Sequence, residues 1–269
     1  MPEISTFLRY PGSKRRMLAF LLANLPDSDS IKGRFVEPFL GGGAVYFAIS
    51  PKRAYLGDIN RELIDLYQGI VLSPDRVWRL YKGFPSTKTG YKRIRAARPE
   101  SLTILQRSAR SLFLNRTCFK GMWRHNLAGQ FNIGYGGQDR RWSISRADLF
   151  HVAGQLEHAQ IRCCDFETMI DASRPRDYVF LDPPYRPGAK EQIHAHYDSH
   201  QFKFCDHQRL SKALQRADTR RVPWAITISD HPEILALYKH FRKLAIPRGT
   251  GNSIGSFSHF GGEVLITNC

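Results

Sequence analysis

The run Phe180-Leu181-Asp182-Pro183-Pro184-Tyr185 sets a carboxylate, two prolines and an aromatic ring in succession, after an apolar stretch that begins at Tyr178. This order suits the activation of an exocyclic aromatic amine. Such an amine shares its lone pair with its ring and is a poor nucleophile. Asp182 can accept one N–H and the Pro183 carbonyl the other. Two acceptors favour a tetrahedral nitrogen whose lone pair points at an electrophile. Proline fixes φ and carries no amide proton, so the turn through Pro183 and Pro184 is stiff. Tyr185 offers a face on which a planar base can stack, as in enzymes that draw a base out of a helix. The plainer reading is a strand that ends in a Pro-Pro turn with a surface tyrosine.

Three other places could hold a ligand. "FVEPFLGGGAVYFA" (35–48) runs from a strand into glycines, which let the backbone approach a ligand closely. It lacks the Gly-Lys-Ser/Thr of a phosphate loop, and apolar residues follow the glycines, so the ligand carries no large phosphate charge. Asp58 ends the next apolar run, where an acid can accept from ribose hydroxyls or serve only as a helix N-terminal acid. Asp165 and Phe166 end a third run; the acid can accept from an amine and the ring can line a base or fill the core.

The elements that position these residues follow from the pattern. Apolar runs at 33–39, 53–59, 160–166, 177–185, 223–230, 241–247 and 263–268 read as strands buried on both faces. Helical spacing falls between them at 14–25, at 60–71 after Asn60 as cap, and at 207–217. Strand–helix alternation predicts an α/β, doubly wound, mostly parallel sheet with ligands at the carboxyl ends of its strands. The stretch 72–145 departs from this. It is rich in Arg and Lys, reads first as helix, and then carries a hairpin signal in "WRHNLAGQFNIGYGG" (123–137). The expected organisation is a ligand-binding domain of 1–71 and 146–269 with an inserted lobe at 72–145.

The 269 residues carry a formal net charge of +16 with 42% hydrophobic content, which makes a polyanion the favoured partner. The five cysteines show no C-x-x-C spacing and read as free buried thiols in a reducing compartment. No apolar stretch is long enough to span a bilayer and no signal core is present, so the expected location is the cytoplasm and the expected state a monomer.

Taken in order, "RYPGSKRRML" (9–18), "VEPFLGGGAVYF" (36–47), "LGDIN", "LFLNRTCFKGMWRHNLAGQFNIGYG" (112–136) and "LDPPY" resemble the Dam-type DNA N6-adenine methyltransferases over nearly the whole chain. The resemblance implies a seven-stranded class I methyltransferase sheet, Rossmann-like, with an inserted, mainly helical target-recognition domain. It implies S-adenosyl-L-methionine as cofactor, contacted by Tyr10, Lys14, Glu37, Phe39, Gly41, Gly43, Asp58, Asp165, Phe166 and Asp182. Asp182, Pro183, Pro184 and Tyr185 would hold a flipped-out adenine. Arg9, Asn115, Arg116, Met122, Arg124, Asn126 and Asn132 would face double-stranded DNA, with Arg124 paired to guanine O6 and N7 and others on phosphate.

GATC is the leading target. Members directed to GATC carry proline where this chain has Gly134 in "FNIGYG", which leaves specificity open to relaxation. The cluster His194, His196, His200 and His207 reads as a loop whose histidines face solvent, with no metal, since methyl transfer from a sulfonium needs none. The alternatives are a cytosine N4 methyltransferase, an RNA or protein-amide methyltransferase, and an inactive DNA-binding protein of the same fold.

Overall fold

Each of the seven apolar runs forms a strand in the computed structural model, which describes residues 8–85, 87–126, 128–137, 144–185, 202–247 and 262–269. The strands are β1 (Phe35–Glu37), β2 (Ala54–Asp58), β3 (Ala159–Cys163), β4 (Tyr178–Leu181), β5 (Trp224–Ser229), β6 (Arg242–Ala245) and β7 (Glu263–Thr267). They make one sheet in the order β3-β2-β1-β4-β5-β7-β6. β1 runs parallel to β2 and β4, and β4 parallel to β5. β7 is reversed, antiparallel to both β5 and β6. Every residue of β1 and β4 is buried, as expected of strands covered on both faces.

The helices are α1 (Leu18–Asn24), α2 (Ala44–Ile49), α3 (Arg61–Leu72), α4 (Pro74–Gly83), α5 (Lys88–Ala96), α6 (Ile104–Thr117), α7 (Arg146–Leu156), α8 (Phe166–Asp171), α9 (Phe204–Thr219) and α10 (Pro232–Ala236). A 3-10 turn, Lys14–Met17, leads into α1. Asn60 caps α3 by accepting from the Leu63 amide at 3.2 Å. Thr103 and Gln106 cap α6 reciprocally, satisfying two of the orphan donors that every helix start leaves.

The chain divides into two compact units. The sheet unit is built on Gly12–Ile59 and the described residues within Arg162–Ala195 and Gln201–Cys269. Leu210, Leu214, Trp224, Ile226, Ile228 and Ile266 are fully buried in its core. Arg34 and Asp177 clasp the starts of β1 and β4: the Arg34 amide donates to Oδ1 at 2.7 Å and its guanidinium to Oδ2 at 2.8 Å.

The helical unit is built on Asn60–Ile161 with the N-terminal segment through Pro11. Its limits differ from the expected 72–145 because α3 packs on α6 and α7, and α4 on the same two helices. At the α3–α6 crossing a Cβ on Gly69 would meet Ser108 Cβ at 2.5 Å, so glycine sets how near the helices lie. The Ser108 hydroxyl donates to the Leu66 carbonyl there at 2.9 Å. The predicted hairpin is an antiparallel ribbon with isolated bridges, Cys118↔Tyr135 and His125↔Phe131, rather than a regular ladder. Burial alternates along Gly121–Asn126, so Met122, Arg124 and Asn126 lie on the outer face.

Among the described residues no helix is long and apolar enough to cross a membrane. All five cysteines are free, but Cys118 alone is buried. Burial pushes its thiol up to about 12. Cys205 and Cys269 are exposed, so the expectation of buried thiols holds only in part. His194, His196 and His200 lie outside the described residues. His207, expected to face solvent, is fully buried in α9, with the Phe202 ring edge-on at 4.8 Å.

Candidate active site and nucleic-acid interface

In the sheet unit, four acids stand along one edge of the sheet. Glu37 ends β1, Asp58 ends β2, Asp182 follows β4, and Glu263 begins the reversed β7 beside Ser229 at the end of β5. Parallel strands deliver their last residues to this edge; β7 delivers its first.

Asp182 is held by one oxygen. Its Oδ1 pairs with the Lys14 ammonium at 2.8 Å and accepts the Thr227 hydroxyl at 2.8 Å. Among the described residues Oδ2 has no hydrogen-bond or ion-pair partner. Lys14 is only 5% exposed. Its ammonium lies 3.8 Å from Glu263 and 4.6 Å from the centre of the Tyr185 ring. The Tyr185 ring is half-buried and its hydroxyl is fully buried. Burial first, and then the carboxylates of Asp182 and Glu263, push that hydroxyl well above its ordinary range. Pro183 is buried and Pro184 exposed.

Glu37 is 2% exposed. Burial, and then the Asp182 carboxylate, push its carboxyl well above the usual range. Its Oε2 is buried with no hydrogen-bond partner among the described residues, so a donor or a cation would satisfy it. The Gly41 amide donates to Asp58 Oδ2 at 3.0 Å. This bond fixes the turn, in which Gly41 and Gly43 take φ of +48° and +66°, a region open to glycine.

Beyond the glycines, Phe39, Phe166 and Phe202 form a ring cluster, with Phe39 stacked on Phe166 at 5.4 Å. Phe166 is 6% exposed, and Arg209 lies 4.8 Å from its centre. Asp165 Oδ1 caps α8 through the Glu167 amide at 2.9 Å and pairs with Arg209 at 2.9 Å.

Tyr10 belongs to the helical unit, where its ring lies 5.9 Å from Trp123. Arg9 sits there too. Asn115, expected on DNA, is fully buried; it accepts the Arg9 amide at 3.1 Å and donates to the Arg9 carbonyl at 2.7 Å. It therefore holds the Arg9 backbone from the interior. Arg116 is 2% exposed and is likewise an interior residue, in the buried run Ser108–Thr117 along α6. Asn126 Oδ1 accepts the Ala128 and Gln130 amides at 3.1 and 2.9 Å and so organises the ribbon's turn. Arg124 and Asn132 are cross-strand neighbours: Arg124 Nε donates to Asn132 Oδ1 at 3.0 Å. Met122 is half-buried on the same outer face, and Gly134 is exposed with open space where a Cβ would stand.

Thr227 and Glu263 carry no motif that singles them out. The one signal was the polar threonine inside the otherwise apolar run "WAITIS", which becomes fully buried and must find a partner.

Residues 10–248 match the family of D12 class N6 adenine-specific DNA methyltransferases. The DNA N-6-adenine-methyltransferase of Escherichia phage P1 is 33% identical over 237 residues, which cover 87% of this chain and 31% of the longer phage protein. The type II methyltransferase M.MjaIII of Methanocaldococcus jannaschii is 30% identical over 237 residues, 81% of this chain and 82% of that protein. The DNA adenine methylase of Escherichia coli K12 is 27% identical over 239 residues, 87% and 84% of the two chains. With the seven-stranded sheet and the acid–Pro-Pro–Tyr turn at its edge, these matches show that the chain belongs to the D12 class of N6 adenine-specific DNA methyltransferases.

Proposed function

We propose that the protein methylates N6 of an adenine flipped out of double-stranded DNA, with S-adenosyl-L-methionine as donor and GATC as the leading target. The observation that carries this is Asp182, fixed through Oδ1, while Oδ2 has no partner among the described residues. A carboxylate oxygen held in that way is an acceptor for one hydrogen of an incoming amine. The Pro183 carbonyl takes the other, and the lone pair is left aimed. The half-buried Tyr185 ring is the surface for the base.

The acids at the sheet edge fit the donor. Glu37, Asp58 and Asp182 form an anionic edge, and the bare Oε2 of Glu37 calls for a cationic or N–H partner. The donor bears an ammonium and a sulfonium and supplies an electrophilic methyl group. Asp58 and the Gly41–Gly43 turn would hold its ribose and methionine portions. The second oxygen of Asp165, with Phe39 and Phe166, would hold its adenine. Lys14 acts on the donor side through Asp182, and Tyr10 is the remaining contact proposed. The five free cysteines favour the reducing cytoplasm.

Glu37 gives this assignment a measurable sign. Its carboxyl is raised, so it is protonated over a wider range of pH than an ordinary glutamate. Seating a cation beside it favours the charged form and expels a proton. Donor binding is expected to release protons to buffer, seen as a binding enthalpy that varies with the buffer's ionisation enthalpy. Glu37→Gln should remove the variation; a wild-type enthalpy equal in all buffers would refute the placement.

The helical unit, with the ribbon's outer face and Arg9, is proposed to read DNA, drawn by the chain's positive charge. Arg124→Ala is expected to lose about 1–3 kcal/mol of discrimination at one guanine. Equal weakening on all sequences, with a shallower salt dependence, would make Arg124 a phosphate contact instead. The activity itself is tested by incubating the protein with unmethylated DNA and labelled donor and mapping the modified bases. Donor binding without label in adenine would overturn the proposal.

A further inference from the structure

Asp182 must be turned as well as present, and the sheet supplies a residue to turn it. β5 lies beside β4 in parallel register, with Leu181 opposite Ile226. The next residue on each chain is Asp182 and Thr227. Thr227 is fully buried, and a hydroxyl has one proton to give. That proton goes to Asp182 Oδ1 at 2.8 Å; the Leu181 carbonyl, at 3.4 Å, is the longer contact. Lys14 reaches the same oxygen from the 3-10 turn before α1. Lysine alone is a rotatable point charge that can follow either carboxylate oxygen. Threonine is β-branched and stiff about χ1, and its strand fixes its backbone. The two donors together commit Oδ1, which leaves Oδ2 as the oxygen without a partner among the described residues.

We infer that Thr227 is a positioning residue for methyl transfer: its hydroxyl selects which oxygen of Asp182 receives the target amine. This rests on the proposed role of Asp182. A threonine that merely satisfies its own buried hydroxyl would serve stability, and the two readings part experimentally.

Thr227→Val keeps the shape and removes the donor. The methylation rate in a single turnover is expected to fall by about 10- to 100-fold, the scale of one hydrogen bond to a charged group. Donor affinity by calorimetry and the KM for DNA should stay within about threefold, since no binding group is removed. Base extrusion, read as 2-aminopurine fluorescence at the target position, should persist. Thr227→Ser should restore most of the rate. A valine variant with wild-type rate overturns the inference. So does a serine variant as slow as valine, or a rate loss matched by equal losses of donor affinity and thermal stability. A wild-type protein that binds donor and labels no DNA would count against the methylation reading instead. The role of Thr227 is then decided by a crystal structure of Thr227→Val, where Asp182 is expected in more than one carboxyl orientation and a single unchanged orientation overturns it.

Discussion

Asp182→Asn is expected to cost methyl transfer at least about a thousandfold while leaving a folded protein that binds DNA. The substitution keeps size and shape, yet it inverts the one property the site uses. Lys14 and Thr227 are both donors aimed at Oδ1, so an asparagine settles with its oxygen toward them and its NH2 outward. The target amine then meets a donor where it needs an acceptor. Neutralising the side chain also leaves the buried Lys14 with Glu263, 3.8 Å away, as its remaining carboxylate. Asp182→Ala removes the acceptor without inserting a donor, but opens a void beside a buried cation, and uncompensated buried charges are costly, about 3–5 kcal/mol. Single-turnover rates with saturating donor measure the chemical step; an asparagine variant within tenfold of wild type would refute this account of the site.

The second large effect falls on stability. Arg110 is 3% exposed, and its guanidinium donates to the Ile94 and Arg95 carbonyls at 3.1 and 2.8 Å and to Glu62 at 3.2 Å. Glu62 also meets His125 of the ribbon at 3.4 Å. Burial pushes the Glu62 carboxyl up, but His125 and Arg110 outweigh it and hold the group below its ordinary value of 4.5. Arg110→Met fills much of the same space but strips the counter-charge from a buried carboxylate and removes a donor from each of two carbonyls, of which Ile94 keeps the Ala97 amide at 3.3 Å. The expected loss is about 3–5 kcal/mol of unfolding free energy, read by urea denaturation at neutral pH. The pH dependence has a definite sign. A folded pKa below the unfolded one stabilises above the unfolded value, and that contribution disappears as pH falls through the folded value. The wild-type advantage over the variant should therefore shrink below about pH 4.5. A variant as stable as wild type would show that the cluster is dispensable.

The inner strands were legible because each is an apolar run closed by a polar residue, and buried strands need only that; β3 and β6, expected to be buried on both faces, are edge strands whose residues are mostly exposed or half-buried. The site's acids were legible for the same reason: they punctuate the runs. The strand order was not, because nothing within β7 states that it will enter reversed between β5 and β6. Glu263 was missed with it, since an acid at the start of a parallel strand would lie at the far edge. Burial within the helical unit was also hidden. The resemblance sets Asn115 and Arg116 toward DNA, yet both are buried, and the backbone at Arg9, 106 residues away, supplies Asn115 with partners that no local pattern discloses.

The clasp between Arg34 and Asp177 joins residues 143 positions apart, and this sets a kinetic problem for the polypeptide. The centre of the sheet, β1 against β4, cannot pair until a loop of that length has closed, and contacts so distant in sequence slow folding. All of α3–α7 lies inside the loop, and its contacts are local by comparison. If those helices condense first, the free chain to be closed is much shorter, and the entropic cost grows only with the logarithm of what remains. The inserted helices would then act as a folding aid for the sheet, and substitutions that loosen them, Arg110→Met among them, should slow refolding of the strands as well as lower stability.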